Sequence, residues 1–175
     1  MQTKIKLNLG CGRQLLAGYV NCDLVANLKA DKHFDLEQFP YPFEDNSVDE
    51  VLMNQVLEHL TDVIAVMKEI HRILKPGGIV DIYVPYAKSD WAVQDPTHKH
   101  YFTERSMDYF TDDFVCNYYS EARFRILNKD LISGKSSFKN RLRDLLPFKS
   151  VLRYFFWNIY DGVHFKLECV KGGSK

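Results

Sequence analysis

The sequence predicts one α/β domain built on a doubly wound, mostly parallel sheet. An amphipathic segment from Thr61 to Leu74 lies between the apolar runs Val48–Met53 and Ile79–Val84. A strand, a helix and a strand in this order form the right-handed crossover of a parallel sheet. The 175 residues, 46% of them hydrophobic, suit a single domain with one core over residues 1–175.

The first two strands are expected near the N-terminus. Apolar and polar residues alternate from Ile5 to Leu9 and lead into Gly10-Cys11-Gly12. This pattern predicts a strand that ends in a glycine turn, where a ligand-binding loop often lies. A second short strand is plausible at Tyr19–Leu24.

The central helix is the most clearly marked element. Its apolar residues recur at helical spacing, Asp62 stands in the first turn, and Lys75-Pro76-Gly77-Gly78 supplies the stop. Its apolar positions are Val63, Val66, Met67, Ile70, Ile73 and Leu74. The helix therefore presents one face to a core.

The C-terminal third predicts a helix at Thr103–Ala122 and two strands at Arg123–Ile132 and Val163–Val170. Pairing these strands as a hairpin closes the sheet with an antiparallel edge. Between them lies an insert, residues 133–161, which is expected to be helical.

The insert is locally basic and ends in the aromatic run Tyr154–Trp157. Its charges can be solvated and its aromatics can belong to the core, or it can act as a lid over a substrate. Peripheral membrane contact through residues 148–157 is a further alternative. Its basic residues are Lys135, Lys139, Arg141, Arg143, Lys149 and Arg153.

Composition excludes several classes of protein. Twenty-three basic residues balance 23 acidic ones, which disfavours a nucleic-acid partner. No apolar run is long enough for a transmembrane helix, and no signal peptide precedes the first strand, so a cytoplasmic location is expected. The four cysteines lack C-x-x-C spacing, which indicates reduced thiols.

The glycine turn narrows the choice of ligand. Leu15 stands where the third glycine of a dinucleotide-binding G-x-G-x-x-G motif belongs, and no P-loop motif is present. Gly10 and Gly12 still allow close approach to the backbone. These features favour a nucleoside ligand without a pyrophosphate.

The order of motifs over about residues 4–110 resembles the class I S-adenosylmethionine-dependent methyltransferases, especially the small bacterial methyltransferase domain 11 type. The matching segments are Leu7–Gly12, Asp23, Asp35-Leu36, Phe39–Val51, Asn54–Leu60 and Glu69–Gly78. The resemblance implies a Rossmann-like fold of three α/β/α layers and S-adenosylmethionine as cofactor. It implies these cofactor-binding residues: Asn8, Gly10, Cys11, Gly12, Arg13, Asp23, Asp35, Leu36 and Asn54.

Individual roles follow from that resemblance. Asp23 takes the place of the acid that binds the ribose hydroxyls, and Asp35 with the Leu36 backbone lies where the adenine is covered. Asn8 departs from the family, which has an acid there, so Arg13 becomes a candidate for the methionine carboxylate. Asp23 follows Gly12 by only 11 positions, so the first helix is expected to be a turn or two.

The loop after the fifth strand carries the candidate catalytic residues Asp95, His98 and His100. A neutral histidine near pH 7 suits a general base. Alternatively, a hydrogen bond from His98 to Asp95 shapes the loop. These three residues have metal-ligand chemistry without a diagnostic spacing, so no metal is predicted.

Glu58 and His59 either begin a helix on a solvated face or line the cofactor pocket. The expected function is methyl transfer to an oxygen or nitrogen of a small molecule or glycan precursor. The alternative is an inactive S-adenosylmethionine-binding partner or sensor subunit, because the missing acid at Asn8 and the short first helix are also compatible with a degraded site.

Overall fold

The computed structural model describes residues 4–115, 117–133 and 143–172. Seven strands form one mixed sheet in the order β3-β2-β1-β4-β5-β7-β6. The strands are β1 (Lys6–Leu9), β2 (Val20–Asp23), β3 (Lys32–His33), β4 (Val48–Asn54), β5 (Leu74–Pro85), β6 (Arg123–Ile132) and β7 (Gly162–Val170). β1 to β5 pair in parallel, and β7 is antiparallel to both β5 and β6. The doubly wound sheet with an antiparallel hairpin edge is confirmed.

The strand order reverses between β1 and β4. In open α/β sheets, ligands bind in the crevice beyond the carboxyl ends of the strands at such a switch point. The Gly10–Gly12 turn follows β1, and Asn54 ends β4. The fold therefore brings the predicted glycine turn and Asn54 to the same edge of the sheet.

The central helix α1 (Val63–Ile73) forms where the apolar pattern predicts it. Asp62 caps it, because its carboxylate accepts a hydrogen bond of 2.9 Å from the Ala65 amide. Val66, Ile70 and Ile73 are fully or almost fully buried in the main core. Burial of each such side chain stabilises the fold by roughly 1.5–3 kcal/mol.

The other face of the sheet is polar. Lys6 pairs with Glu50 at 2.7 Å, and His164 contacts Asp81 at 2.9 Å while its ring stacks on Tyr83. These side chains pair across neighbouring strands, whereas α1, the longest described helix, packs on the apolar face. Over the described residues the sheet has one long helix on one side and a ladder of polar contacts on the other.

Two predicted helices are corrected. Residues 10–19 contain turns and no helix, whereas a helix of a turn or two was expected. The described part of residues 103–122 holds two 3₁₀ turns, Ser106–Phe110 and Asn117–Tyr119, and no α-helix. Met107 and Phe110 still enter the core from this segment, so its apolar residues are buried without helical periodicity.

The insert has a helix, α3 (Lys149–Phe155), with no buried residue. Its described basic residues are paired: Arg143 with Asp161, Lys149 with Asp144, and Arg153 with Glu104. Lys135, Lys139 and Arg141 lie outside the described residues. Within the described part of the chain, no helix is both long and apolar enough to span a membrane.

The insert is anchored at the edge of the sheet where β5 ends. Lys88, on the loop after β5, donates hydrogen bonds to the carbonyls of Arg153 and Tyr154 at 3.0 and 2.9 Å. The short helix α2 (Asp90–Val93) adds a second tie, because the Trp157 indole donates to Asp90 at 2.8 Å. The aromatic run therefore lies beside the loop that carries the candidate catalytic residues.

Candidate active site

The two glycines of the turn have different surroundings. A Cβ built on Gly10 would lie 2.5 Å from a methyl carbon of Val56, whereas one on Gly12 would meet no protein atom within 4 Å. Both residues have positive φ, 64° and 52°. Gly10 is therefore required by packing inside the protein, and Gly12 borders open space that a ligand could approach.

Asp23 ties this turn to the end of β2. One carboxylate oxygen accepts a hydrogen bond from the Gly12 amide at 2.8 Å, and the other accepts from the Val25 amide at 3.0 Å. Each carboxylate oxygen can accept a second bond. Asp23 can thus hold the turn and still accept hydrogen bonds from the two hydroxyls of a ribose.

A buried amide pair replaces the missing first helix. The Asn8 amide donates to the Gln14 carbonyl at 2.8 Å and to the Asn21 side-chain oxygen at 3.0 Å. Asn21 also accepts from the Leu16 amide at 2.8 Å and bonds Asp31. Asn8, predicted to contact the cofactor, thus uses both amide protons to hold residues 14–16 against the sheet.

Cys11 and Arg13 flank the turn in opposite environments. Cys11 is buried, and burial followed by the nearby Asp23 charge raises the pKa of its thiol, so the thiol stays protonated. Arg13 is exposed and makes no ion pair or hydrogen bond with the described residues. Arg13 is available to a ligand carboxylate, and this role stays a prediction. Cys11, Cys22 and Cys169 form no disulfide, while Cys116 lies outside the described residues.

The segment predicted to cover the adenine is fixed by its own contacts. Asp35 accepts from the Glu37 amide at 2.8 Å, which leaves its second carboxylate oxygen available, and the Tyr41 hydroxyl donates to the Leu36 carbonyl. Glu37 bonds the Thr61 amide, which lowers the pKa of the Glu37 carboxyl. Lys99 joins this group from the loop after β5 at 3.4 Å from Glu37.

Asn54 lies at the exposed end of β4, where its amide donates to the Gln14 side chain at 3.1 Å. The glycine-turn segment and β4 therefore meet directly. Gln55 follows in the left-handed region with φ of 57°, and its amide bonds the Tyr83 carbonyl. Gln14 lies in no matching segment and could not be predicted, while Gln55 lies within the matching segment Asn54–Leu60 but was given no role.

Asp95 organises the loop after β5 through Thr97. One Asp95 oxygen accepts from the Thr97 amide at 2.8 Å and from its hydroxyl at 2.7 Å, and these bonds lower the pKa of the Asp95 carboxyl. The Thr97 oxygen lies 2.9 Å from Nδ1 of His59. Asp95, Thr97 and His59 therefore form a hydrogen-bonded chain, which orients the His59 ring.

The His98 side chain faces inward and does not bond the Asp95 carboxylate, although the His98 backbone amide donates to the Asp95 carbonyl at 3.3 Å. Its Nδ1 lies 2.9 Å from the Ala92 carbonyl oxygen, while its Nε2 is 4.0 Å from both Asp95 and Glu58. A distance of 4.0 Å is too long for a hydrogen bond. The hydrogen bond from His98 to Asp95 is therefore made by the backbone, whereas the partner of the His98 ring is the Ala92 carbonyl.

Glu58 is buried next to His98, where 1% of its side chain is exposed. Burial raises the pKa of its carboxyl to about 7, partly offset by nearby groups. His59 packs edge-on against His98, with ring centroids 4.7 Å apart, and burial lowers the pKa of His59. Glu58 thus neither begins a solvated helix nor faces water.

His100 lies apart from this cluster. Its Nε2 contacts the Thr61 carbonyl at 3.1 Å, and its backbone amide bonds the Glu58 carbonyl. The candidate base at this edge of the sheet is therefore His98, and His100 holds the neighbouring segment. Glu58 is brought next to His98 by the tertiary fold, since the two residues are 40 positions apart in the sequence.

The comparisons with known proteins agree with this architecture. Residues 7–82 match the model of a family described as a methyltransferase domain. Over these residues the match agrees with the resemblance that the motifs show. Over 72 residues the chain is 39% identical to a demethylmenaquinone methyltransferase of Staphylococcus epidermidis, an alignment that covers 41% of this chain and 26% of that protein.

Two solved structures share the fold over nearly the whole chain. The methyltransferase in a complex with the Trm112 activator of Haloferax volcanii aligns with a TM-score of 0.66 at 13% identity, covering 99% of this chain and 85% of that one. An S-adenosylmethionine-dependent methyltransferase of Archaeoglobus fulgidus gives a TM-score of 0.62 at 14% identity, covering 94% and 86%. The chain spans about a quarter of the length of the curated relative that it matches.

Proposed function

We propose that the chain is an S-adenosylmethionine-dependent methyltransferase that acts on an oxygen or nitrogen of a small molecule or glycan precursor. The observation that carries this proposal is the family match over residues 7–82, whose segments meet at the switch point of the sheet. Bound there, S-adenosylmethionine supplies an electrophilic methyl group on a sulfonium.

The residues at the switch point fit this cofactor. Gly12 opens toward free space, and Asp23 retains acceptor capacity for a ribose diol beside it. Asp35 has one carboxylate oxygen left for an adenine amino group. Arg13 offers a positive charge to a methionine carboxylate, whereas Asn8 serves the turn itself.

The position and protonation of His98 favour a methyl acceptor that must lose a proton, such as a hydroxyl or an amine. His98 presents Nε2 as its lone-pair nitrogen, because its Nδ1 proton is given to the Ala92 carbonyl. A hydroxyl or amine at this position can lose its proton to that nitrogen as it accepts the methyl group. Methyl transfer is an in-line displacement, so the remaining requirement is positioning.

A two-step experiment tests this function. Calorimetric titration with S-adenosylmethionine and S-adenosylhomocysteine should show binding of both, whereas NAD should not bind. Transfer of labelled methyl from S-adenosylmethionine to a small-molecule extract should then be lowered about 10²- to 10⁴-fold by His98→Gln, with cofactor affinity unchanged. If neither S-adenosylmethionine nor S-adenosylhomocysteine binds, the proposed function is wrong.

An inactive cofactor-binding partner remains the second candidate. The polar pair Asn8 and Asn21 stands where the family has an acid and a helix, and the Haloferax neighbour is a methyltransferase in a complex with an activator. Cofactor binding without turnover in the extract assay would favour this alternative. A cytoplasmic location stays a prediction.

A further inference from the structure

Three side chains with metal-ligand chemistry converge beside the proposed acceptor site. Glu58, His59 and His98 each bring one ligand atom to within 4.8 Å of the others. Glu58 and His59 lie in the 3₁₀ turn Leu57–His59 that follows β4, and His98 lies on the loop after β5. β4 and β5 are parallel neighbours, so the cluster forms at their shared carboxyl edge.

Glu58 gives the first sign that a ligand is required. Both carboxylate oxygens are buried and have no hydrogen-bond partner within the described structure. A buried carboxylate without partners is costly, and buried charges in proteins are paired or bind metal ions. Nε2 of His98 lies 4.0 Å from one Glu58 oxygen, which is too far for a hydrogen bond.

Hydrogen bonds fix both histidines with a lone pair available. The Ala92 carbonyl can only accept, so the proton of His98 is on Nδ1 and its Nε2 is unprotonated in the neutral ring. Thr97 gives its hydroxyl proton to Asp95 and accepts from Nδ1 of His59, which leaves Nε2 of His59 unprotonated as well. Metal-ligating histidines are oriented in this way by carbonyl and carboxylate groups.

We propose that Glu58, His59 and His98 bind a divalent transition-metal ion, for which Zn²⁺ is the best fit. Two imidazole nitrogens and one carboxylate form the ligand set of open, catalytic zinc sites. Imidazole ligands favour Zn²⁺ and similar ions over Mg²⁺ or Ca²⁺. The sequence predicts no metal because Asp95, His98 and His100 lack a diagnostic spacing, and Glu58 and His59 approach His98 only in the fold.

Small side-chain movements bring the ligands to coordination distance. Ligands about 2.1 Å from one tetrahedral ion are about 3.4 Å apart. The 4.0 Å gap between His98 and Glu58 must therefore shorten by about 0.6 Å, and the other gaps, which are within 4.8 Å, by at most about 1.4 Å. Three protein ligands leave a coordination position open. With a metal ion bound, Nε2 of His98 would be a ligand and could not also accept the acceptor proton. The ion would then activate an acceptor hydroxyl at the open position by lowering its pKa, a consequence that rests on the proposed function.

Metal binding is tested with Co²⁺ and Zn²⁺ alone, without cofactor. Co²⁺ should give a visible spectrum typical of nitrogen and oxygen ligands, Zn²⁺ should displace it, and Zn²⁺ should raise the melting temperature by mass action. Removing a ligand in Glu58→Gln or His98→Ala should lower affinity more than about 100-fold, because loss of an outer-shell partner already costs 10- to 100-fold. Thr97→Val should show that smaller loss.

Two histidine controls make the test specific. His33→Ala on exposed β3 and His100→Ala beside the cluster should bind Co²⁺ as the wild type does. Absence of Co²⁺ and Zn²⁺ binding by the wild type, binding unchanged in Glu58→Gln and His98→Ala, or a thiolate spectrum would each overturn the proposal. A separate titration with S-adenosylhomocysteine distinguishes its failure from failure of the proposed function.

Discussion

Gly10 and Gly12 flank one cysteine but limit substitution for different reasons. A side chain at Gly10 would collide with Val56. A side chain at Gly12 would contact nothing, and its cost would be the strain of the left-handed backbone. Because the left-handed conformation costs about 1–2 kcal/mol for a non-glycine residue, Gly12→Ala should lower the free energy of unfolding by about that amount. Gly10→Ala should lose a further 1–3 kcal/mol or so from overpacking.

Urea unfolding of the two variants checks this prediction. Val56→Ala, introduced together with Gly10→Ala, should recover part of the loss by making room for the added methyl group. The same Val56→Ala change should not rescue Gly12→Ala. Equal stability of the two single variants would contradict the contact between Gly10 and Val56.

Asp23 is expected to hold the cofactor ribose as well as the glycine turn. Asp23→Ala should weaken binding of S-adenosylhomocysteine by about 1.5–3 kcal/mol, or roughly 10- to 150-fold, because it removes charge-assisted hydrogen bonds. Calorimetric titration measures the change. Asp113→Ala, which removes an exposed aspartate elsewhere, serves as the matched control, and an unchanged affinity in folded Asp23→Ala would remove Asp23 from the site.

For single residues, the sequence predicted which side chains lie at the candidate site better than it predicted the groups that they bond. Asp23 follows a predicted strand and His98 follows another, so their places at the sheet edge could be predicted. Glu58 could not be assigned, because its burial depends on the 95–100 loop, whose Lys99 and His100 amides bond its carbonyl. The tautomer of His98 likewise depends on a carbonyl six positions away.

His71 links helix α1 to strand β7 and makes the stability of the fold sensitive to acid. Its Nε2 lies 2.9 Å from the Val170 carbonyl, its ring packs against Phe124, and burial lowers its pKa. The unfolded chain therefore binds this proton more readily than the folded protein. The stabilising contribution of neutral His71 is complete above the unfolded pKa of about 6.5 and is lost as the pH falls through the lower folded value.

His71→Gln should therefore show a shallower fall in stability between pH 7.5 and more acidic pH values than the wild type. Glutamine keeps a hydrogen-bond donor for Val170 but does not titrate. Denaturant unfolding at several pH values gives the two slopes. Parallel slopes for wild type and variant would show that His71 does not contribute to the acid sensitivity.

Regular spacing of apolar residues decided which helices and strands were predicted correctly. α1 and the β6–β7 hairpin have regular apolar patterns over 9 or more residues each, and both were located within a residue or two. Residues 10–19 lack such a pattern because Asn8 and Asn21, not an apolar helix face, attach them to the sheet. The short pairing of β3 with β2 is likewise invisible in a sequence pattern.

For the whole molecule, the insert concentrates exposed apolar surface at one place. Phe148 and Phe155 are 78% and 76% exposed, and Tyr154, Phe156 and Trp157 are also exposed. The sequence left open whether these aromatics belong to the core, and the structure places them outside it. Surface patches of this kind mark sites for partners, ligands or membranes.

Each described basic residue of the insert forms an ion pair with a carboxylate. Membrane binding through aromatic burial can therefore be tested separately from binding through charge. If residues 148–157 contact a membrane, the attraction should come from aromatic burial and only weakly from charge. We expect the protein to cosediment with neutral phosphatidylcholine vesicles nearly as well as with anionic ones. Salt, which screens exposed charges, should have little effect on this binding.

The double variant Phe148→Ser/Phe155→Ser should lower vesicle binding by about 10-fold or more, because burial of one phenylalanine side chain is worth about 1.5–3 kcal/mol. Folding stability should change little, since both rings are exposed. Val115→Ser, which removes another highly exposed apolar side chain, is the matched control. If the wild type stays in the supernatant with both vesicle types, membrane contact is excluded, and the aromatic run is left as a cover for the acceptor beside Lys88 and Asp90, to which it is already tied.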